Sequence, residues 1–398
     1  MNILYIVHGF PPSIGAAALN AFKIVEYLAN YGHKILVLSP GVFSKTSTFK
    51  EFSAISDYDV TINYSSSIMK IPLNLVFSHF ENMGKFLLKL KDKFKPDIVL
   101  SQYQAYHYAS VIGGYISKLL RIPHIIRSHD IFFITEDSSL QRRFFHSLIY
   151  PKIFRSIPNS NIFYSVSTEI IKYLLKFKEL RKVNFKLHHN GIDPKEFYPF
   201  KNQEDLKDQY GCENIIFFLG TISEDFGIQN IIEVLPNLLK SHKDTHFLII
   251  GEGPYKKTLQ NFVDKFDLTK QVHILGIKPH HEIPFYINNI DVGIGRITDN
   301  IMWRYFIPIK CLEYMACKKP YITAPCSKDL IKNDDVGLIL KRGFNQKDVI
   351  EKLTVLIEDK SLRQKLGNNG LRKINEKFRW DVLMSNFNKE ISQFLEDY

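Results

Sequence analysis

Cysteine is scarce in this chain. Its 398 residues include four, Cys212, Cys311, Cys317 and Cys326, and their spacing fits neither a disulfide framework nor the paired ligands of a zinc module. The expectation is a reduced, cytoplasmic compartment. Long apolar runs are missing too: none approaches the roughly 18 residues that cross a bilayer. The opening residues MNILYIVHGF carry no cationic stretch and no small-residue cleavage site, so they read as a first strand rather than a signal peptide. There is no short-period repeat, no low-complexity tract and no G-x-G-x-x-G fingerprint, which argues against a repeat protein and against a dinucleotide site.

What is present is a globular composition, 45% hydrophobic and 23% charged, in a chain too long for one core and suited to two domains. The net charge of +11 is uneven. Residues 1–200 hold 24 basic and 14 acidic residues, against 28 and 27 in the remainder. The first half therefore suits an anionic partner such as a membrane surface, a phosphorylated lipid or a nucleic acid, or simply carries a lysine-rich solvated surface. It has no aromatic-interleaved basic motif, so nucleic acid is not an expected partner.

Strands and helices alternate throughout. NILYIVHG is a near-continuous apolar run of the kind a parallel sheet buries on both faces. The segment GAAALNAFKIVEYLANYGH follows as a helix, apolar at Leu19, Phe22, Ile24, Val25 and Leu28 and stopped by Gly32. KILVLSP, DIVLSQ, HIIRSHD and IFYSVS repeat the strand pattern. After a polar, turn-rich stretch the alternation restarts at residue 214 with NIIFFLGTIS, HFLIIGEGP, VHILGIK and IDVGIGRI. The expectation is an α/β protein with a doubly wound domain over 1–200, a linker over 201–213 and a second doubly wound domain over 214–377. An amphipathic helix closes the chain over 378–398. Ligand is expected in a cleft between the domains, at the carboxyl ends of the strands.

Four loops carry chemistry. HGFPPSIGAAALN runs from the first strand into a helix, with Gly15 permitting close backbone approach to the helix start and Ala16 keeping it small. IRSHDIFF puts Arg127, His129 and Asp130 at a strand's carboxyl end. LIIGEGPY offers Gly251 and Gly253 for the approach of a flat or anionic group. The most constrained stretch is FIPIKCLEYMACKKPYIT. A helix starting near Pro308 exposes unpaired amides and a partial positive charge, yet Lys310 adds a full positive charge there. That combination makes sense if an anion such as a diphosphate occupies the helix end. Glu313, one turn on, is placed to accept hydrogen bonds from a vicinal diol. Phosphate followed by ribose is the order of groups in a sugar nucleotide. An exposed lysine–glutamate pair at i,i+3 is the alternative, but Leu312, Met315 and Ala316 argue for burial.

These pieces together resemble the family 4 glycosyltransferases, which have the GT-B architecture. The resemblance runs through GFPPSIGAAALN, SHD, YSVS, HHNGIDPKEFYP, FLGTISEDFGIQNIIEVL, FLIIGEGPYKKTL, VHILGIKPHHEIPFYINNIDVGI and PIKCLEYMACKKPYIT, in the family's order and over nearly the whole chain. It implies sugar transfer from a nucleotide-sugar donor with the anomeric configuration retained, without metal or cofactor, and a carboxy-terminal helix crossing back onto the first domain. Glu313 matches the glutamate that holds the ribose hydroxyls, His129 the histidine near the donor sugar, and Gly15 the loop at the diphosphate. His129, Lys310 and Glu313 are thus the expected catalytic set. Ala16, Thr221, Gly251, Gly253 and Ile277 join Pro308 and Ile309 at the donor, and Arg127 and Asp130 are expected at the acceptor.

Three positions depart from the family pattern. Tyr305 stands where a first glutamate is usual, and Thr221 and Phe226 stand where an arginine and a lysine usually bind phosphate. Lys310, with Arg296 or Arg304, is expected to replace that charge. The acceptor expected is a glycan or lipid-linked saccharide of surface-polysaccharide or glycoconjugate synthesis, met at the inner face of the membrane. The segment MGKFLLKLKDKFK, with Met83, Phe86, Leu87, Leu90 and Phe94 on one helical face, suits either a core or an anionic lipid surface. Two other readings stay open on the residues alone: a binding-only protein on this scaffold, and a sugar-nucleotide epimerase.

Overall fold

The computed structural model describes residues 1–7, 9–10, 16–41, 60–66, 94–103, 109–129, 154–201, 204–332 and 335–398. Gly15, Asp130 and residues 83–93 of the lysine-flanked segment lie outside them. The chain forms two compact units, Met1–His189 with Asp381–Tyr398, and Asn190–Trp380.

The first unit is built on a seven-stranded parallel sheet: β1 (Asn2–Ile6), β2 (Lys34–Gly41), β3 (Val60–Ser66), β4 (Ile98–Tyr103), β5 (His124–Ser128), β6 (Ile162–Ser165) and β7 (Phe185–Leu187), in the order β3-β2-β1-β4-β5-β6-β7. Every residue of β4 and β5 is buried, as expected of strands covered on both faces. The register sets Gln102 beside Arg127 and Tyr103 beside Ser128. The first helix, Ala16–Asn30, ends before Gly32, whose φ of +81° ends the helix at no side-chain cost. The last helix, Trp380–Asp397, is tied to this unit by Tyr164, which donates to Glu390 Oε2 at 2.7 Å, and by Lys186 on the same carboxylate at 2.9 Å. Asn388 Oδ1 lies 2.6 Å from His33 Nε2.

The second unit repeats the plan with β8 (Asn214–Leu219), β9 (Thr245–Ile250), β10 (Val272–Ile274), β11 (Val292–Ile294), β12 (Tyr321–Thr323) and β13 (Leu338–Ile339), in the order β10-β9-β8-β11-β12-β13. The order reverses between β8 and β11, the switch point at which such sheets take ligands. The helix Ile228–Leu238 buries Ile228, Ile231, Ile232, Val234, Leu235 and Leu238, an i, i+3, i+4, i+7 stripe. Each such side chain, fully buried, contributes about 1.5–3 kcal/mol of transfer free energy.

The helix Ile309–Ala316 is buried from Lys310 through Ala316. The sequence G-I-G under it explains how. A Cβ at Gly293 would overlap the Tyr314 ring, and one at Gly295 would crowd Thr323 and Cys311. With both absent, Tyr314 reaches in until its hydroxyl lies 3.3 Å from the Ile294 carbonyl and 3.4 Å from that of Phe217.

The first crossing between units falls at 189/190, earlier than the expected linker at 201–213. The polar stretch is not a free tether: Ile192, Phe197, Leu206 and Cys212 join the core of the second unit. Ile192 also exchanges backbone hydrogen bonds with Phe378 and Trp380. No helix among the described residues is long and apolar enough to cross a membrane.

Candidate active site

In the second unit the loops after β8, β9 and β10 are stitched to one another at their carboxyl ends. Gly220 N donates to Ile250 O at 3.0 Å, Ile222 N to Glu252 O at 2.9 Å and Gly251 N to Gly276 O at 2.9 Å. This corrects the reading of Gly251 and Gly253 as glycines opened toward a ligand. A Cβ at Gly251 would overlap the carbonyl oxygen of Gly220, and one at Gly253 that of Ile222. Their missing side chains make room for neighbouring backbone. The glycine that borders the helix start is Gly220, which the sequence reading did not select: a Cβ there would lie 3.0 Å from Lys310 Nζ.

Pro308 caps the helix in an extended conformation, with no side-chain cap on the first amides. Two residues in, Lys310 is 8% exposed. Its Nζ lies 3.6 Å from the Phe218 ring centroid and 4.3 Å from that of Phe226, and it has no hydrogen-bond partner among the described residues. On Phe226 as well lies the Arg296 guanidinium, 4.2 Å from the centroid, and it also covers Trp303 at 3.2 Å. Its Nη1 donates to the Asp225 carbonyl at 3.3 Å. Neither cation forms an ion pair among the described residues. Burial, and then the charge of Arg296, hold the Lys310 pKa well below the ordinary lysine range, with Cys311 and Glu313 opposing. Burial likewise lowers Arg296 to about 9 against the pull of Asp225 and Cys311. Two cations have thus been gathered near a helix start at a desolvation cost that the ring faces, one carbonyl and more distant acidic groups offset only in part.

Glu313 lies one turn on and is 7% exposed. Its Oε1 lies 3.9 Å from His280 Nε2, and His280 Nδ1 lies 3.7 Å from Glu196 Oε2. The imidazole rests edge-on against Phe197, with ring centroids 5.4 Å apart. Thr221 is exposed just beyond Gly220, and Ile277, past β10, is 60% exposed. Arg304 is placed otherwise. Its Nη2 donates to Asp299 Oδ1 at 2.6 Å, while Asp299 Oδ2 accepts from Gly343 N at 2.7 Å. It clamps a loop, and Arg296 is the arginine that the structure brings to Lys310. Of these neighbours, the aromatic at 226 was a visible departure in sequence. Phe218, Trp303 and His280 gave no separate signal.

In the first unit, His129 follows β5 and its amide donates to Tyr103 O at 3.0 Å. Arg127 was expected to touch the acceptor, and the structure corrects that. The residue is fully buried, its Nε donates to His188 Nδ1 at 2.9 Å and its Nη2 to His189 O at 3.3 Å. On strand β5 its side chain points into the core, so it acts through neighbours. Burial lowers its pKa to about 10, with Tyr5 opposing.

The model of Glycosyltransferase Family 4 matches residues 20–196 and that of Glycosyl transferases group 1 matches residues 199–373. The chain belongs to glycosyltransferase family 4. Glycosyl transfer is accordingly its class of activity. This glycosyltransferase is 20% identical over 393 residues to the N-acetyl-alpha-D-glucosaminyl L-malate synthase of Bacillus anthracis, covering 97% of this chain and 96% of that one. It is 25% identical over 288 residues to an uncharacterized glycosyltransferase of Methanocaldococcus jannaschii, covering 69% and 70%. Among solved structures it resembles Anabaena HepE in complex with UDP, with a TM-score of 0.76 at 16% identity over 99% and 100% of the chains. The fold is GT-B.

Proposed function

We propose that this glycosyltransferase takes its sugar from a nucleotide-sugar donor, whose diphosphate is bound at the start of the helix Ile309–Ala316. The observation that carries the reading is Lys310: a buried amine with no hydrogen-bond partner among the described residues, at a helix N-terminus, beside a second cation that forms no ion pair among them. Buried charges without partners are costly, and an anionic ligand removes that cost. The UDP complex of the similar HepE supports a nucleotide as that ligand.

As the bond between the sugar and the phosphate breaks, negative charge builds on the leaving diphosphate. Lys310, Arg296 and the first-turn amides stand ready for it before the reaction, which is how fixed dipoles and charges lower a barrier. In the retaining reaction proposed, the acceptor oxygen bonds to the anomeric carbon on the face the phosphate leaves, and its proton passes to a phosphate oxygen. No metal is needed for these steps. Glu313 accepts hydrogen bonds from the ribose diol. Glu313→Ala is expected to weaken nucleoside-diphosphate binding about 10- to 100-fold, the worth of one or two charge-assisted bonds, and to leave the affinity for inorganic pyrophosphate unchanged. Calorimetry with both ligands checks it; unchanged nucleotide affinity removes the ribose role. Release of nucleoside diphosphate only when an acceptor is added separates transfer from epimerisation. A panel of nucleotide sugars, scored by thermal stabilisation, identifies the donor.

The acceptor, a glycan or lipid-linked saccharide, belongs to the basic first half of the chain in this reading, where 24 basic residues stand against 14 acidic ones. That excess favours an anionic membrane face. The protein is expected to sediment with anionic liposomes at low salt and to be released as salt screens the attraction. Failure to sediment at low salt would rule out membrane contact.

A further inference from the structure

Arg127, His129 and Gln102 form a contact whose chemistry has one solution. Arg127 Nη1 lies 3.3 Å from His129 Nε2, and Gln102 Nε2 lies 2.9 Å from the same nitrogen. Gln102 Nε2 also donates to the Tyr5 hydroxyl at 3.3 Å. A guanidinium has five N–H donors and no acceptor, so the His129 nitrogen facing it must accept. A ring nitrogen that accepts carries no hydrogen. An imidazolium would set an N–H against the guanidinium N–H. The ring is therefore neutral, and its hydrogen is on Nδ1.

The fold holds this arrangement firmly. Gln102 and Arg127 are paired positions on the parallel strands β4 and β5. Arg127 cannot swing away, because its other nitrogens are committed to His188 Nδ1 and His189 O. His129 is held by its own amide on Tyr103 O.

We propose that Arg127 and Gln102 are positioning residues that fix His129 as the neutral Nδ1–H tautomer, and that glycosyl transfer depends on this tautomer. The dependence of turnover on this tautomer rests on the transferase function proposed above; the tautomer itself does not. The role explains why a fully buried arginine, out of reach of any acceptor, stands two residues before the histidine.

The test is nitrogen NMR on the full-length protein labelled at histidine, with His129 assigned by the loss of its signals in His129→Asn. At pH 7 the expected pattern is a protonated Nδ1 and a bare Nε2. A protonated Nε2 in the wild-type protein overturns the proposal. Gln102→Glu replaces a donor by an acceptor, and Nε2 is then expected to gain a proton. Using the nucleotide sugar that stabilises the protein most, kcat is expected to fall about tenfold or more in this variant, with KM changed by less than about threefold. An unchanged kcat alongside a shifted proton overturns the positioning role. Arg127→Lys, which still donates, should retain the wild-type tautomer. A panel in which no nucleotide sugar stabilises the protein overturns the proposed donor and leaves the NMR result to decide the tautomer alone.

Discussion

Lys310→Met should lose nucleoside-diphosphate binding and gain stability. The two effects share one cause. The amine is buried against Phe218 and Phe226 without a hydrogen-bond partner among the described residues, so in the free protein it is a desolvated cation that the fold tolerates. Methionine is unbranched and one atom shorter, fills most of the space beside the two rings with apolar atoms and removes the charge. A gain of about 1–3 kcal/mol is expected, in the range seen when buried charges give way to apolar groups of similar size. Binding should weaken about 10- to 100-fold, since hydrogen bonds to charged groups are worth about 1.5–3 kcal/mol. Calorimetry against a panel of nucleoside diphosphates and a thermal melt measure the two sides.

The pH dependence gives a second check. The folded pKa is well below the unfolded value of 10.5, chiefly through burial and then Arg296. Between those two values the unfolded chain binds more protons, so stability rises with pH across that window. The penalty from Lys310 is therefore largest on its acid side and disappears above pH 10.5. The advantage of Lys310→Met should be clear at pH 7 and should shrink as pH approaches 10.5. An advantage independent of pH would mean that the amine is not desolvated.

The second large effect is on the fold. Gly251→Ala should destabilise the second unit by about 3 kcal/mol or more. Gly251 has φ of +149°, and an added Cβ would overlap the Gly220 carbonyl oxygen, an atom of rigid backbone at the end of β8. The backbone strain alone costs on the order of 1–3 kcal/mol, and a clash with main chain cannot be relieved by a rotamer change. Gly343→Ala is the control. Gly343 also has positive φ, +65°, yet nothing lies within 4 Å of the added atom, so its cost should be only about 1 kcal/mol. Urea unfolding of both variants separates overlap from conformational strain. Equal costs would show that the two loops can move apart.

Much of the plan was written in local sequence. The alternation of strand and helix could be read because parallel strands buried on both faces must be continuously apolar, as in NILYIVHG and NIIFFLG, and because the helix between them shows its own period. The start of the helix at Ile309 followed from Pro308 and the apolar positions behind it. Lys310 and Glu313 stood out because each conflicted with the burial of its neighbours. What failed was anything that depended on a distant partner. Gly251 and Gly253 resembled glycines opened to a ligand, and only the pairing of β8 with β9 showed that the Gly220 and Ile222 backbone fills their space. Arg127, at a strand's carboxyl end, resembled an acceptor-binding cation until strand order put it in the core beside Gln102.

The sequence alone determined two doubly wound units and a buried lysine and glutamate on the first turns of one helix, because periodicity, caps and buried charge are properties of neighbours along the chain. The tertiary structure alone decided that Arg296 and not Arg304 joins Lys310, that both rest on Phe226, that the chain enters the second unit at residue 190, and which side chains face His129 Nε2. Those outcomes depend on which side chains meet across strands and loops far apart in sequence, and no local pattern encodes such meetings.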